Sequence, residues 1–235
     1  MTVIDFHSHI LPGVDDGSSS VEESVAMLRM EAEQGIGQMI ATPHFYPQHD
    51  KLERFLKRRD RAMALLQHEI GLQKDLPEIL LGAEVYFFRG MSESDHLARL
   101  TIGEKSCILV EMPPPPWTDE MYRELEQIWI RQGIIPVVAH IDRYVRPFRT
   151  YGIPKRLANL PVLVQANADF FVNRITAKMA MRMLEAGQIH LLGTDCHNTR
   201  SRKPDLQVAL QKIQAKFGET AIKRINDYEK RALNG

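Results

Sequence analysis

Short apolar runs alternate along the chain with longer stretches in which apolar residues recur every three or four positions. The runs predict strands over Val3–His7, Gln38–Pro43, Ile79–Val85, Cys107–Met112, Ile134–His140, Val162–Asn167 and His190–Asp195. Several are continuous, Ile134 through Ala139 being the clearest, as suits a parallel sheet covered on both faces. The helical pattern fills the intervals. In the first helix Ser20-x-x-Glu23 reads as a capping box, Val21, Val25, Leu28 and Ala32 repeat at helical spacing, and Gly35 ends it. Further helices are expected over Lys51–Glu69, Asp119–Arg131 (ended by Gly133), Ala177–Glu185 (ended by Gly187), Leu206–Phe217 and Glu219–Leu233. Seven strands with helices between them predict a parallel α/β barrel, with a doubly wound sheet as the competitor. Neither GxGxxG nor GxxxxGK[ST] occurs, so the phosphate-cradling loops of nucleotide folds are absent. Pro113-Pro114-Pro115-Pro116 reads as a rigid extended loop.

Composition narrows the class. The 235 residues are 44% apolar and 26% charged, and suit a single domain over 1–235. Thirty Lys and Arg balance thirty Asp and Glu, which argues against a general nucleic-acid binder. No apolar run reaches the roughly 18 residues of a membrane span. The opening MTVIDFHSH lacks the basic start and apolar run of a signal peptide. The two cysteines, Cys107 and Cys196, form no CxxC. A disulfide framework and a Cys-based zinc site are therefore excluded, and a cytoplasmic protein is expected.

The chemistry lies at the strand ends. Strand by strand these carry His7 and His9, His44, Glu84, Glu111, His140, and Asp195 with His197; Asp15 and Asp16 follow the first strand. The sixth ends in Asn167, a weak ligand. In a parallel barrel all carboxyl ends meet at one mouth. One metal needs three or four protein ligands, so this surplus predicts two or three ions, with a carboxylate such as Glu84 bridging. Imidazole and carboxylate without thiolate suit Mn²⁺, Fe, Zn²⁺ or Mg²⁺. Paired ions commonly hydrolyse phosphate esters. Arg143, Arg200 and Arg202, just beyond ligands, could neutralise phosphate oxygens. His49, His68, His96 and His190 read as ordinary hydrogen-bonded or surface residues. Cys196 through Arg202 also satisfies C-x5-R, the bare pattern of cysteine-dependent phosphatases, but the loop has no glycine for a tight phosphate cradle.

Six motifs in order, DFHSHILPGVDDG, ATPHF, GAEVY, VEMP, AHIDRY and GTDCHNTRSRKPDL, resemble the PHP (polymerase and histidinol phosphatase) superfamily. Within it they look most like the CpsB/YwqE-type branch, bacterial metal-dependent tyrosine-protein phosphatases of capsule and exopolysaccharide operons. The resemblance runs from about residue 3 to 230 and implies a distorted seven-stranded α/β barrel with three metals. It implies His7, His9, Glu84 and Asp195 on the first ion, Glu84, Glu111 and His140 on the second, and Asp16, His44 and His197 on the third, with Asp15 as the alternative to Asp16. Manganese leads among the expected ions. The resemblance also implies a phosphate clamp of Arg143 and Arg202, attack by a metal-activated hydroxide, and a membrane-associated tyrosine autokinase as the phosphotyrosine-bearing partner. The runner-up is a phosphoesterase acting on a small phosphate monoester such as histidinol phosphate; a third reading is a non-catalytic, metal-stabilised binding module. Cys196 is a departure, where a small residue would serve equally.

Overall fold

The computed structural model describes residues 3–234 except 72, 74, 104 and 105. Its elements in order are β1 (Val3–Ser8), α1 (Val21–Glu33), β2 (Ile36–Ala41), β3 (His44–Phe45), α2 (Leu52–Ile70), β4 (Glu78–Leu81), β5 (Glu84–Tyr86), β6 (Cys107–Glu111), α3 (Asp119–Gln132), β7 (Ile135–Val138), α4 (Ile153–Leu157), β8 (Leu163–Asn167), α5 (Ala168–Val172), α6 (Ala177–Glu185), β9 (Leu191–Gly193), α7 (Leu206–Phe217) and α8 (Glu219–Asn234). All strand pairings in the two sheets are parallel. One sheet runs β1-β2-β4, and the other, six-stranded, runs β3-β5-β6-β7-β8-β9.

The expectation of seven continuous strands is therefore met only in part. The expected Ile79–Val85 is broken into β4 and β5, and the expected Gln38–Pro43 stops at Ala41, with β3 a separate pair of residues beyond Pro43. Pro43 has no N–H to continue the β2 ladder, and the Gly82 carbonyl accepts from the Arg59 guanidinium at 3.2 Å instead of from a strand. Backbone bonds cross the break: Thr42 N–H donates to Ser8 O (2.8 Å), Gly82 N–H to Ala41 O (2.9 Å) and Glu84 N–H to Pro43 O (3.1 Å). The segment just beyond β9 meets the end of β1 through the isolated bridge Ser8–Cys196. Two bonds flank it, Asp195 N–H to His7 O at 2.8 Å and His9 N–H to Cys196 O at 2.9 Å.

Period-two alternation divides the strand side chains between two clusters. Ile4, Phe6, Ile40, Leu109, Ile135, Val137, Leu163 and Leu191 pack together with Ala232 of α8. The alternate positions Ile108, Val110, Val138, Val164 and Leu192 join the helices in a larger cluster. The face carrying Leu109 next presents Glu111; that of Leu163 presents Gln165 and Asn167; that of Leu191 presents Gly193 and Asp195. Core therefore passes into polar mouth along the same strand face.

Helix termini follow local chemistry. Ser20 Oγ accepts from Glu23 N–H at 3.2 Å, as a cap should. The reciprocal half is displaced by one residue, because the Glu23 carboxylate takes Ser19 N–H (2.9 Å) and its hydroxyl (2.7 Å). Two short helices, α4 and α5, lie beyond the sequence expectation; each is five residues long, too short for a periodic signal. Near Pro113–Pro116, Trp117 Nε1–H donates to Pro113 O at 2.7 Å and its ring packs on Tyr144.

Candidate metal centre

The end of β1 sets the centre. His7 and His9 are both fully buried, and their Nε2 atoms lie 3.1 Å apart. Glu84 Oε2, at the start of β5, is 3.3 Å from each. Asp195 Oδ1, beyond β9, is 3.7 Å from His7 Nε2 and 3.4 Å from His9 Nε2. Four ligands about 2.1 Å from a tetrahedral ion stand about 3.4 Å apart, so these spacings match a coordination shell. The remaining expected residues adjoin it. His140 Nε2 lies 2.6 Å from Glu84 Oε1 and 3.9 Å from Glu111 Oε1. His44 Nδ1 lies 2.9 Å from Glu84 Oε2 and 3.8 Å from Glu111 Oε2. Asp16 Oδ1 is 3.6 Å from His44 Nε2 and 3.5 Å from His197 Nε2. All nine expected ligand residues thus meet at one mouth. His68 and His96 are exposed and lie outside it; His49, also exposed, lines a cleft beside it with Asp16 and His44. His190 is spent on the fold, its Nδ1 accepting Val164 N–H at 3.0 Å.

Several of the buried donors make no hydrogen bond of good geometry, even where His44 Nδ1 and Glu84 Oε2 stand 2.9 Å apart. His44 Nδ1, Glu84 Oε2, Asp195 Oδ1 and His197 Nε2 all lack such a bond. A buried polar atom left unpaired is expensive, and a cation resolves several at once. Burial opposes ionisation of Glu84, but the charges of His7 and His140 outweigh it and hold its carboxyl well below the usual range. Burial likewise opposes the His9 imidazolium, yet Asp15, Asp195 and Glu84 raise it well above its ordinary value. In this arrangement protons on imidazoles supply the positive charge that the carboxylates require. Burial, with the charges of His9 and Arg202, pushes His197 down to about 4, which keeps it neutral and able to ligate near pH 7.

Asp15 and Asp16 part company here. Asp15 is nearly buried, and its carboxylate takes three N–H donors: His9 Nδ1 at 2.7 Å, His44 backbone N at 2.8 Å and Gly17 N at 3.0 Å. It holds the His9 ring so that Nε2 faces the cluster, the usual task of a carboxylate behind a metal-binding histidine. Asp16 is the one whose oxygen reaches His44 and His197. The turn between needs Gly17, since a Cβ there would stand 2.2 Å from His9 O. Gly193 allows a similar approach, because a Cβ would stand 2.7 Å from His7 Cβ.

Four residues support the centre, and of these the sequence reading singles out only Asn167, as a weak ligand. Gln165 Oε1 lies 3.4 Å from His7 Nδ1 and accepts His140 N–H at 2.5 Å. Asn167 Nδ2 donates to Asp195 Oδ2 at 3.1 Å, and Asp142 Oδ1 accepts Asn167 N–H at 2.9 Å. Asp5 accepts the Thr194 hydroxyl and N–H at 2.5 and 2.9 Å. The period-two face of β8 is the signal that could have added Gln165 to Asn167.

A family model described as capsular polysaccharide synthesis, CpsB/CapC, matches residues 3–233. The chain belongs to the CpsB/CapC family. It is 30% identical over 226 residues to the tyrosine-protein phosphatase YwqE of Bacillus subtilis (strain 168), covering 92% of this chain and 85% of that protein. It is 29% identical over 238 residues to the tyrosine-protein phosphatase CpsB of Streptococcus pneumoniae, covering 95% and 94%. A solved structure described under YwqE from Bacillus subtilis and CpsB from Streptococcus pneumoniae, unique metal-dependent tyrosine phosphatases, matches with TM-score 0.84 at 24% identity. It covers 99% of this chain and 95% of that one, a likeness of fold.

In this CpsB/CapC chain the two expected arginines converge on one acid. Arg143 Nη2 donates to Asp195 Oδ2 at 2.5 Å, and Arg202 Nη2 stands 2.8 Å from Asp195 Oδ1, outside hydrogen-bond geometry. Both guanidiniums are partly exposed and line a cleft of about 380 Å³ with Arg200 and Lys203. Cys196 is fully buried in the large apolar cluster, and burial first, then Asp5 and Glu31, pushes its thiol well above the ordinary value. The backbone N–H groups of Arg200, Ser201 and Arg202 are already taken by Asn198 Oδ1 at 2.9, 2.9 and 3.2 Å. The C-x5-R stretch therefore has neither thiolate nor free amide cradle.

Proposed function

We propose that this chain is a metal-dependent phosphotyrosine-protein phosphatase. Its substrate is a membrane-associated tyrosine autokinase of capsule or exopolysaccharide synthesis, met on the cytoplasmic side. The observation that carries the reading is the set of eight histidine and carboxylate side chains in groups close enough to share an ion, joined by His140 against Glu84, with buried unpaired donors beneath two arginines. The names of the curated relatives agree with it. The interrupted strands are read as a distorted seven-stranded barrel joined across the Ser8–Cys196 bridge.

Two or three divalent ions fit the donor set, with Mn²⁺ the first choice. His7, His9, Glu84 and Asp195 would hold one; Glu84, Glu111 and His140 a second; Asp16, His44 and His197 a third. Glu84 serves two sets through different oxygens, Oε2 toward His7 and His9 and Oε1 toward His140. Bound there, such ions supply Lewis acidity, acidifying water and neutralising phosphate oxygens. Arg143 and Arg202 exchange Asp195 for the phosphate, and their forked donors orient it. Asp15 keeps His9 in its ligating tautomer, and Gln165 holds His7 and the His140 backbone. The leaving phenol, with a pKa of about 10, needs little proton assistance.

The test is turnover of a phosphotyrosine peptide by chelator-stripped protein, with Mn²⁺, Fe²⁺, Zn²⁺ or Mg²⁺ added back. Activity should vanish on stripping and return with an ion, and should exceed activity on histidinol phosphate. Full activity in excess chelator, or a preference for histidinol phosphate, would overturn the reading.

A further inference from the structure

The segment after Arg143 carries a device that the centre itself does not use. Arg146 and Arg149 form a tight two-stranded turn, each backbone N–H donating to the other's carbonyl at 2.9 Å. At its tip Phe148 is fully exposed, and its φ is +67°. A bulky side chain in the left-handed region is a genuine outlier, and such strain gathers at functional sites. The turn is held from below, because the Arg146 guanidinium donates to the carbonyls of Asp142 and Val145. That anchor is the same short turn that bears Arg143. Neither Arg146 nor Arg149 has a carboxylate partner among the described residues. A fixed turn thus offers water an apolar ring beside unneutralised positive charge, at the mouth side of β7.

We propose that this turn docks the polypeptide flanking the phosphotyrosine, with Phe148 packing against an apolar side chain and Arg149 pairing with a carboxylate or a second phosphate. The proposal rests on the phosphatase reading and deepens it, since it makes the turn the part that tells a protein substrate from a small ester. Charge complementarity supports it: a segment made anionic by its phosphate meets the positive charge of Arg143, Arg146 and Arg149. Reach supports it too. Phe148 lies five positions beyond Arg143, so the two are within about 17 Å, and about five residues of extended peptide span that distance.

The experiment uses Mn²⁺-loaded wild type, Phe148→Ala and Arg149→Glu. The substrates are a ten-residue phosphotyrosine peptide with flanking Glu and Leu, its Glu→Lys counterpart, and p-nitrophenyl phosphate. Each variant should lower kcat/KM on the first peptide by about 5- to 20-fold, chiefly through KM. Activity on p-nitrophenyl phosphate should stay within about twofold, and the Arg149→Glu loss should shrink on the Glu→Lys peptide. Equal losses on peptide and ester, or no loss on either, would overturn the docking role. Fluorescence anisotropy of the labelled peptide decides it independently of turnover, because Phe148→Ala should weaken binding and unchanged binding would refute the proposal. Wild type inert toward both peptide and ester would instead sink the phosphatase reading.

Discussion

Asp15→Asn isolates the part played by a residue that touches no proposed ion. Its two oxygens serve three N–H groups, Oδ2 taking His9 and His44, and Oδ1 taking Gly17. An asparagine has one oxygen for these sites. Turned to keep the His9 and His44 bonds, it sets its NH₂ against Gly17 N–H, 3.0 Å away in the native turn. Turned the other way, it sets the NH₂ against two donors. In either pose the anion behind His9 is gone, and the bond to Nδ1 loses its charge assistance. Removing such a partner typically weakens metal affinity by about 10- to 100-fold, or roughly 1.4–2.8 kcal/mol. Competition of Mn²⁺ against a chromophoric chelator measures this directly, with circular dichroism as the check on folding. The affinity for the ion assigned to His9 should fall by that factor, and saturating Mn²⁺ should restore most of kcat. Affinity within twofold of wild type, where His9→Ala loses an ion outright, would refute the orienting role.

Other tests follow from the same geometry. Arg143→Ala and Arg202→Ala should each lower kcat/KM on a phosphotyrosine peptide by roughly 10- to 100-fold, with metal content unchanged by elemental analysis; wild-type kinetics would leave the phosphate clamp unassigned. Glu31 is fully buried in α1 with neither oxygen hydrogen-bonded, and burial, then the charges of Asp5 and Asp205, push its carboxyl up to about 9. The folded chain therefore keeps a proton that the unfolded chain sheds above its ordinary value of 4.5. The resulting stability is fully present below that value and is lost as pH rises toward 9, by up to about 1.4 kcal/mol per pH unit. Glu31→Gln should thus melt higher than wild type at pH 8, with the gap closing toward pH 5; a gap independent of pH would show that Glu31 does not titrate in this way.

What the sequence discloses divides by range. α6 and α7 begin and end where the pattern puts them, since glycines and apolar spacing act within a few residues. Pro43 marks the end of β2 in the sequence itself, but the break at Gly82 is invisible because its cause is distant, the Gly82 carbonyl being claimed by Arg59 of α2. β7 and β9 stop short of the expected His140 and Asp195, which adopt φ of +30° and +54°. Period-two alternation cannot foresee such turns. The nine ligand candidates were legible because strand ends converge in any parallel barrel. Asp15 and Asp16 were not separable, since both sit in one polar turn and only the distant His9 and His44 distinguish them. Gln165 looks like an interruption of a strand until its contacts with His7 and His140 are known.

The seam between β1 and β9 has a mechanical side. There the first strand and the segment just beyond the last are stitched by one bridge and two backbone bonds, and at the same point His7 and His9 face Asp195. An ion shared by these three would be a clasp closing a loop of nearly the entire chain, a closure whose entropic demand grows only slowly with length. A nascent chain would lack the clasp until its last strand emerged from the ribosome. A chain pulled at points on β1 and just beyond Asp195 would load that seam directly, so rupture force should rise with metal loading.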